Sequence, residues 1–304
     1  MLDVCLLGTG GLMPLPDRWL TALLLRHNGR LLLIDCGEGT QIPFKMAGWG
    51  FKSLDAILLT HYHADHCAGL PGLLLTLGNS GRDEPLMIAG PPGLKEVLTG
   101  LLVVCPELPF EVRYLELEAD KPSEIQLNSF KISSLPLDHA IPCLAYSVEI
   151  NRRGKFLPEK ARGLSIPQNY WKTLQKGESI SLDGRTISPD DVLGEPRRGI
   201  KLCYCTDTRP VSDLRHFIAK SDLFICEGMY GNDENLPKAI EKKHMTFTEA
   251  AELAGDGDAG ELWLTHYSPS LTNPEEYLDN VQKVFSNAIT GSDLMKKTLN
   301  FSRD

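Results

Sequence analysis

The stretch that most restricts this chain is LDAILLTHYHADH, residues 54–66, where an apolar run closes directly on His61, His63, Asp65 and His66. Such a run reads as a buried strand. The four groups therefore leave a rigid edge together, at the point where a strand stops and a helix starts. Imidazole is the commonest protein ligand of divalent zinc, and carboxylate is its usual oxygen partner. His61 and His63 lie two residues apart and point one way, while Asp65 and His66, past the turn, point toward a second position. The spacing predicts two metal ions. A polar helix cap would account for one histidine here, but not for three with an aspartate among them.

Two sites need about six ligands, so other histidines and aspartates should close other apolar runs. They do: His139 follows ISSLPLD, Asp207 follows IKLCYCT and His266 follows ELWLT. Each alone reads as the polar end of a strand. Taken with the first cluster, they read as ligands. Of the eight histidines, only His27 and His216 lie outside such settings.

Strand-type runs occupy 3–8, 20–27, 30–37, 54–61, 85–90, 110–117, 129–137, 143–150, 199–207, 222–228 and 261–267, and helical patterns 39–49, 67–78, 91–102, 210–220, 246–255 and 273–287. Strands dominate the first half and strand-helix alternation the second. That arrangement predicts an α+β fold of two β-sheets with helices outside, rather than one parallel sheet. At 304 residues, 42% apolar and 23% charged, the chain has the size and composition of a globular protein with a large core. The N-terminal MLDVCLLGTGG lacks the basic flank of a secretory signal, and no apolar stretch nears the ~18 residues of a membrane span. The expected location is the cytoplasm, with no membrane partner. Eight scattered cysteines inside strand-like runs read as reduced, buried thiols, and Cys203 and Cys205 as core rather than a metal pair.

The net charge of −9 excludes a generic nucleic-acid coat. Residues 151–199 stand apart, however. There apolar periodicity fades, and ten Lys/Arg face six Asp/Glu, a net of +4 that leaves −13 on the remainder. By composition this is a solvated surface insertion or a nucleic-acid contact arm. Trp49, Phe51 and Tyr62 either stack a base or fill a wall of the fold.

The chain resembles the metallo-β-lactamase superfamily and, within it, the ribonuclease Z (tRNA 3′-processing endonuclease) family. The resemblance is carried by LGTGG (7–11), LLIDCGEGTQ (32–41), LLTHYHADHCAGLPGLL (58–74), LDHAIPCLAYSVE (137–149), CTDTRP (205–210), HMTFTEAAELA (244–254) and LTHYSPS (264–270). They follow the family's order across nearly the whole chain. It implies one four-layer αβ/βα domain over 1–304 with a protruding arm at 151–199. It further implies two zinc ions per subunit, with manganese as the alternative metal. His61, His63 and His139 would hold one, Asp65, His66 and His266 the other, and Asp207 would bridge them. Asp35 would support the ligands from behind.

The implied reaction is hydrolysis of a phosphodiester of precursor tRNA just past its 3′ end, leaving a 3′-hydroxyl on the tRNA and a 5′-phosphate on the trailer. Asp65 would accept the proton of the attacking water, His244 would protonate the leaving 3′-oxygen, and Glu227 would orient His244. The arm would grip the tRNA body through Lys160, Arg162, Lys172 and Lys176, within a homodimer. Two segments depart from the family pattern. Gln168, Asn169 and Tyr170 stand where family arms carry Gly-Pro, and PLPDRW (14–19) keeps Pro14 and Arg18 of a Pro-x-Lys-x-Arg-Asn loop without its Lys and Asn. The rival readings are a metal-dependent phosphodiesterase for small molecules or cyclic nucleotides, another hydrolase of the superfamily, and an RNA-binding protein with a structural metal site.

Overall fold

The structure is a computed structural model that describes residues 1–105 and 107–302. In chain order the strands are β1 (Leu2–Gly8), β2 (Ala22–His27), β3 (Arg30–Ile34), β4 (Leu54–Leu58), β5 (Leu86–Gly90), β6 (Val112–Glu116), β7 (Ser123–Leu127) and β8 (Phe130–Pro136). They continue with β9 (Leu144–Arg152), β10 (Ile180–Leu182), β11 (Arg185–Ile187), β12 (Arg197–Cys205), β13 (Leu223–Glu227), β14 (Leu262–Thr265), β15 (Ala288–Thr290) and β16 (Lys296–Leu299). One seven-stranded sheet runs β16-β1-β2-β3-β4-β5-β6 and the other β15-β14-β13-β12-β9-β8-β7, with β10 and β11 as a separate hairpin.

Both large sheets are mixed. In the first, β16, β1, β2 and β3 pair antiparallel, and β3 to β6 parallel. The second repeats the plan, with β7, β8 and β9 antiparallel and β12 to β15 parallel. The inner strands read as continuous apolar runs because both of their faces are covered, unlike the edge strands β6, β7 and β16. Cys5, Leu7, Leu24, Leu33 and Ile57 pack with Phe44, Leu70, Leu73, Leu77 and Leu94 of the flanking helices. The alternate set, Val4, Leu6, Leu23, Leu25, Leu32 and Ile34, is buried as deeply and faces the second sheet. Two tyrosines bond across that seam: Tyr146 Oη donates to Leu59 O at 2.7 Å, and Tyr204 Oη to Asp35 Oδ2 at 3.4 Å. On the far side, Cys203, Cys205, Phe224 and Leu262 pack against Phe247, Ala250 and Ala254 of the helix Phe247–Asp256. Helix, sheet, sheet and helix make the four layers of the expected α+β fold.

By contacts the chain divides into two compact units, Met1–Glu149 with Lys201–Asn300, and Ile150–Ile200 with Phe301 and Ser302. The second unit was expected to lack apolar order, yet it has a core of its own: Ala161, Ile166, Leu174, Ile180, Ile187 and Val192, with Phe156 and Trp171 against it. Its helices are Pro158–Gly163 and Gln168–Lys176. The β10–β11 hairpin turns on Asp183 (φ 48) and Gly184 (φ 75), the paired left-handed residues that a tight hairpin needs.

Elsewhere the pattern at 210–220 yields helix only at Leu214–Phe217, because Lys220 turns left-handed (φ 55) and donates its N–H to Gly257 O at 2.8 Å. Trp49, Phe51 and Tyr62 are half-buried and pack against the helix-covered core. All eight cysteines are free thiols, and seven are buried. Among the described residues no helix is long and apolar enough to cross a membrane.

Candidate metal centre

The residues singled out from the sequence come together at the strand ends of the first unit. Asp35 follows β3, His61 and His63 follow β4, Asp207 follows β12 and His266 follows β14. Asp35 (φ 61), Asp207 (φ 55) and His266 (φ 57) all hold the left-handed backbone that side chains other than glycine seldom adopt. Such strain gathers where surrounding structure over-determines a functional geometry. Gly11 shows how tightly the site is fitted, since a Cβ there would lie 2.6 Å from His266 Cε1.

Two donor clusters share one carboxylate. His61 Nε2 and His63 Nδ1 are 3.0 Å apart, and His139 Nε2 lies 3.2 Å from the same His63 nitrogen. In the second cluster His66 Nε2 and His266 Nε2 are 3.0 Å apart, with Asp65 Oδ2 at 3.6 and 3.4 Å from them. Asp207 stands between: its Oδ2 lies 3.1 Å from His66 Nε2 and 3.2 Å from His266 Nε2, while its Oδ1 is 4.0 Å from His139 Nε2.

The donor chemistry fits a cation at each cluster. Donors about 3 Å apart suit one ion bound at about 2.0–2.1 Å to each nitrogen. Asp35 can only accept, so His66 Nδ1 carries the proton that bonds Asp35 Oδ2 at 2.9 Å, which leaves the Nε2 lone pair aimed into the cluster. Asp207 Oδ2 and His266 Nδ1 are buried without any hydrogen-bond partner. Burial opposes a charged His66, yet Asp207 and Asp35 outweigh it and hold its pKa well above the usual imidazole value. Burial likewise opposes the charge on Asp207, but His266, His66 and His61 hold its carboxyl well below the usual range. Burial, followed by the charge of His66, pushes His61 well below the imidazole value, and burial depresses His139 as well. Without an ion, a charged His66 offsets the buried carboxylates of Asp35 and Asp207, a task that a cation in the cluster would take over.

A second layer fixes these donors. Asp35 is fully buried and accepts from Thr60 N at 2.8 Å as well as from His66. Leu12 N donates to Asp65 Oδ2 at 2.7 Å, and His139 Nδ1 faces Lys243 O at 3.4 Å. Thr60 and Leu12 escaped the sequence reading. Thr60 was discoverable as a hydroxyl directly before the first histidine, whereas Leu12 acts through a main-chain N–H that no side-chain pattern reveals.

His244 sits beside this centre, between the helix Leu236–Lys242 and the capping box of Thr246 and Glu249 that opens Phe247–Asp256. Its Nδ1 donates to Glu227 Oε2 at 3.0 Å and lies 3.6 Å from Asp207 Oδ1. Glu227 is fully buried and held by Thr208 N at 2.6 Å and Met245 N at 3.2 Å. Burial disfavours a charged His244, but Glu227, by charge and hydrogen bond, and then Asp207 raise its pKa to about 9. Arg18, from the loop that partly matches the family, donates to Leu271 O at 2.8 Å and Thr272 O at 3.1 Å.

The four basic residues expected to meet RNA all lie in the second unit. Lys160 and Arg162 are on Pro158–Gly163, and Lys172 and Lys176, four apart on one helix face, are on Gln168–Lys176. All four are exposed, with Lys160 Nζ donating to Leu193 O at 3.1 Å and the Arg162 guanidinium 5.8 Å over the Trp171 ring.

Comparison with known proteins bears on the family and the fold. A family model described as Anti-Pycsar protein Apyc1 matches residues 2–156. A protein named Ribonuclease Z from Clostridium acetobutylicum is 52% identical over 309 residues, with 100% of both chains covered. Among solved structures, human tRNase Z, short form, superposes with a TM-score of 0.71 at 26% identity over 98% of this chain and 100% of that one. The metallo-β-lactamase fold protein YhfI from Bacillus subtilis gives a TM-score of 0.70 at 20% identity, over 98% and 100%.

Proposed function

Since the chain belongs to the ribonuclease Z family, and residues 2–156 to the family of the Anti-Pycsar protein Apyc1, we propose that it is a metal-dependent endoribonuclease cutting precursor tRNA at its 3′ end. The observation that carries this reading is the convergence of seven His and Asp donors into two clusters joined by Asp207. His61, His63 and His139 would hold one zinc, and Asp65, His66 and His266 the other, with Asp207 shared. Two such cations, when bound, supply an activated water and withdraw charge from the phosphate oxygens.

The chain's own groups then divide the proton work. Bonding to His266 and the charge of His66 outweigh the cost of burial and keep Asp65 a carboxylate; its place in the second cluster makes it the group that accepts the proton of the attacking water. His244, its Nδ1 tied to Glu227, presents Nε2 to deliver a proton to the leaving 3′-oxygen. The raised pKa keeps that proton in place at neutral pH. The products are a tRNA with a 3′-hydroxyl and a trailer with a 5′-phosphate.

The second unit is the tRNA grip in this reading, with Lys160, Arg162, Lys172 and Lys176 meeting backbone phosphates. Its net positive charge, on a chain otherwise strongly acidic, supports that role. The enzyme would act in the cytoplasm as a homodimer. Cleavage of a 3′-extended precursor tRNA, run beside hydrolysis of bis(p-nitrophenyl) phosphate, tests the reading. A single cut at the tRNA 3′ boundary, lost in His63→Ala, is expected. Hydrolysis of the small diester with no cut in the RNA would instead favour a small-molecule phosphodiesterase.

A further inference from the structure

Thr60 places a hydroxyl beside the Nδ1 of a histidine from each donor cluster, His61 and His66, whereas Asp207 meets the clusters at Nε2. Its side chain is fully buried, and Oγ1 lies 3.0 Å from both Asp35 oxygens, 3.1 Å from His61 Nδ1 and 3.3 Å from His66 Nδ1. A hydroxyl has one proton to give and two lone pairs to receive with. The carboxylate of Asp35 can only accept, so the Thr60 proton goes there. His66 Nδ1 already has a shorter bond, 2.9 Å, to Asp35 Oδ2. The free lone pair of Thr60 Oγ1 is left for the N–H of His61.

We infer that Thr60 is a positioning residue that extends the support of Asp35 from His66 to His61, so that one buried carboxylate orients a histidine ligand in each metal cluster. This rests on the two-metal reading above. Proton placement follows from the network. With Nδ1–H committed to Thr60, the Nε2 lone pair of His61 turns toward His63 and the ion. The donor chain His61 Nδ1–H to Thr60 Oγ1–H to Asp35 polarises each link and makes the imidazole a better ligand. Cys143 Sγ, 3.8 Å from His61 Nδ1, is a longer contact to a weaker acceptor. The main chain of Thr60 is pinned independently, its N–H to Asp35 and its O by Leu144 N at 3.0 Å. Loss of the hydroxyl therefore leaves the backbone anchored.

The test is zinc binding rather than turnover. Metal-free wild type, Thr60→Val, Thr60→Ala and Thr60→Ser are titrated with zinc against a competing chelator, and far-UV circular dichroism of each metal-free form checks the fold. In Val and Ala, one of two zinc equivalents should weaken by about 10–100-fold while the other moves less than about threefold, and Ser should bind like wild type. Unchanged binding in the folded Val and Ala variants overturns the inference. So does equal weakening of both equivalents, or a Ser variant as impaired as Val. Wild type that fails to take up two zinc ions is a distinct result, which removes the two-metal reading and the inference with it.

Discussion

Asp35 Oδ2 and His66 Nδ1 meet at 2.9 Å, with both side chains fully shielded from solvent. A ring held this way can turn only its other nitrogen toward the centre. Asp35→Asn removes the charge and offers the ring an amide in place of a carboxylate. Zinc affinity should fall by about 10–100-fold, measured by chelator competition. Unchanged affinity would show that His66 is oriented by packing alone.

Glu227 acts on the proton of His244. Its negative charge favours the imidazolium, so the pKa of His244 is raised, to about 9. Glu227→Gln removes that support, the pKa must fall, and the alkaline limb of the kcat profile should move to lower pH. KM for precursor tRNA should change little. The full loss in His244→Ala should be about 10²–10⁴ in kcat, the usual worth of a positioned proton donor.

Gly11→Ala probes how closely the backbone fits His266. The added Cβ would stand 2.6 Å from the ring, so the ring or the loop must shift. Overpacking of this kind costs about 1–3 kcal/mol. Thermal unfolding should show that modest loss, whereas cleavage should drop by more than about tenfold because a donor atom has moved. Full activity would mean that the loop yields instead of the histidine.

Lys172→Ala and Lys176→Ala should act on RNA alone. Each contact with a phosphate contributes about one unit to the slope of log affinity against log salt. The double variant should raise KM for precursor tRNA and flatten that slope, while hydrolysis of bis(p-nitrophenyl) phosphate stays at the wild-type rate. An unchanged slope would place the RNA elsewhere.

How much of this was legible differs by element. Eleven strand-type runs, and two sheets with helices outside, were readable because most of these strands are written as apolar runs, whereas the four-layer plan was implied by the family resemblance. The positions of His61, His63, Asp65, His66, His139, Asp207 and His266 were readable for the same reason, as each closes such a run. The short edge strands β15 and β16 and the exposed β7 carry too few apolar residues to stand out. In the second unit, charge and proline masked a core built from single apolar residues scattered between Phe156 and Val192, and the hairpin at Asp183-Gly184 went unread. Leu12 was hidden because its main-chain contact depends on where the loop after β1 meets Asp65 in space, and Thr60, though visible as a hydroxyl before His61, because its partner Asp35 lies beyond another strand.

The most direct measurement is cleavage of a 3′-extended precursor tRNA by metal-free protein reloaded with zinc in steps, the product ends mapped to the nucleotide. The expected result is one cut at the tRNA 3′ boundary, leaving a 3′-hydroxyl, with activity absent without metal and complete at two zinc ions per chain. Cleavage that persists without metal, or is complete at one ion, or falls elsewhere in the RNA, would contradict the account.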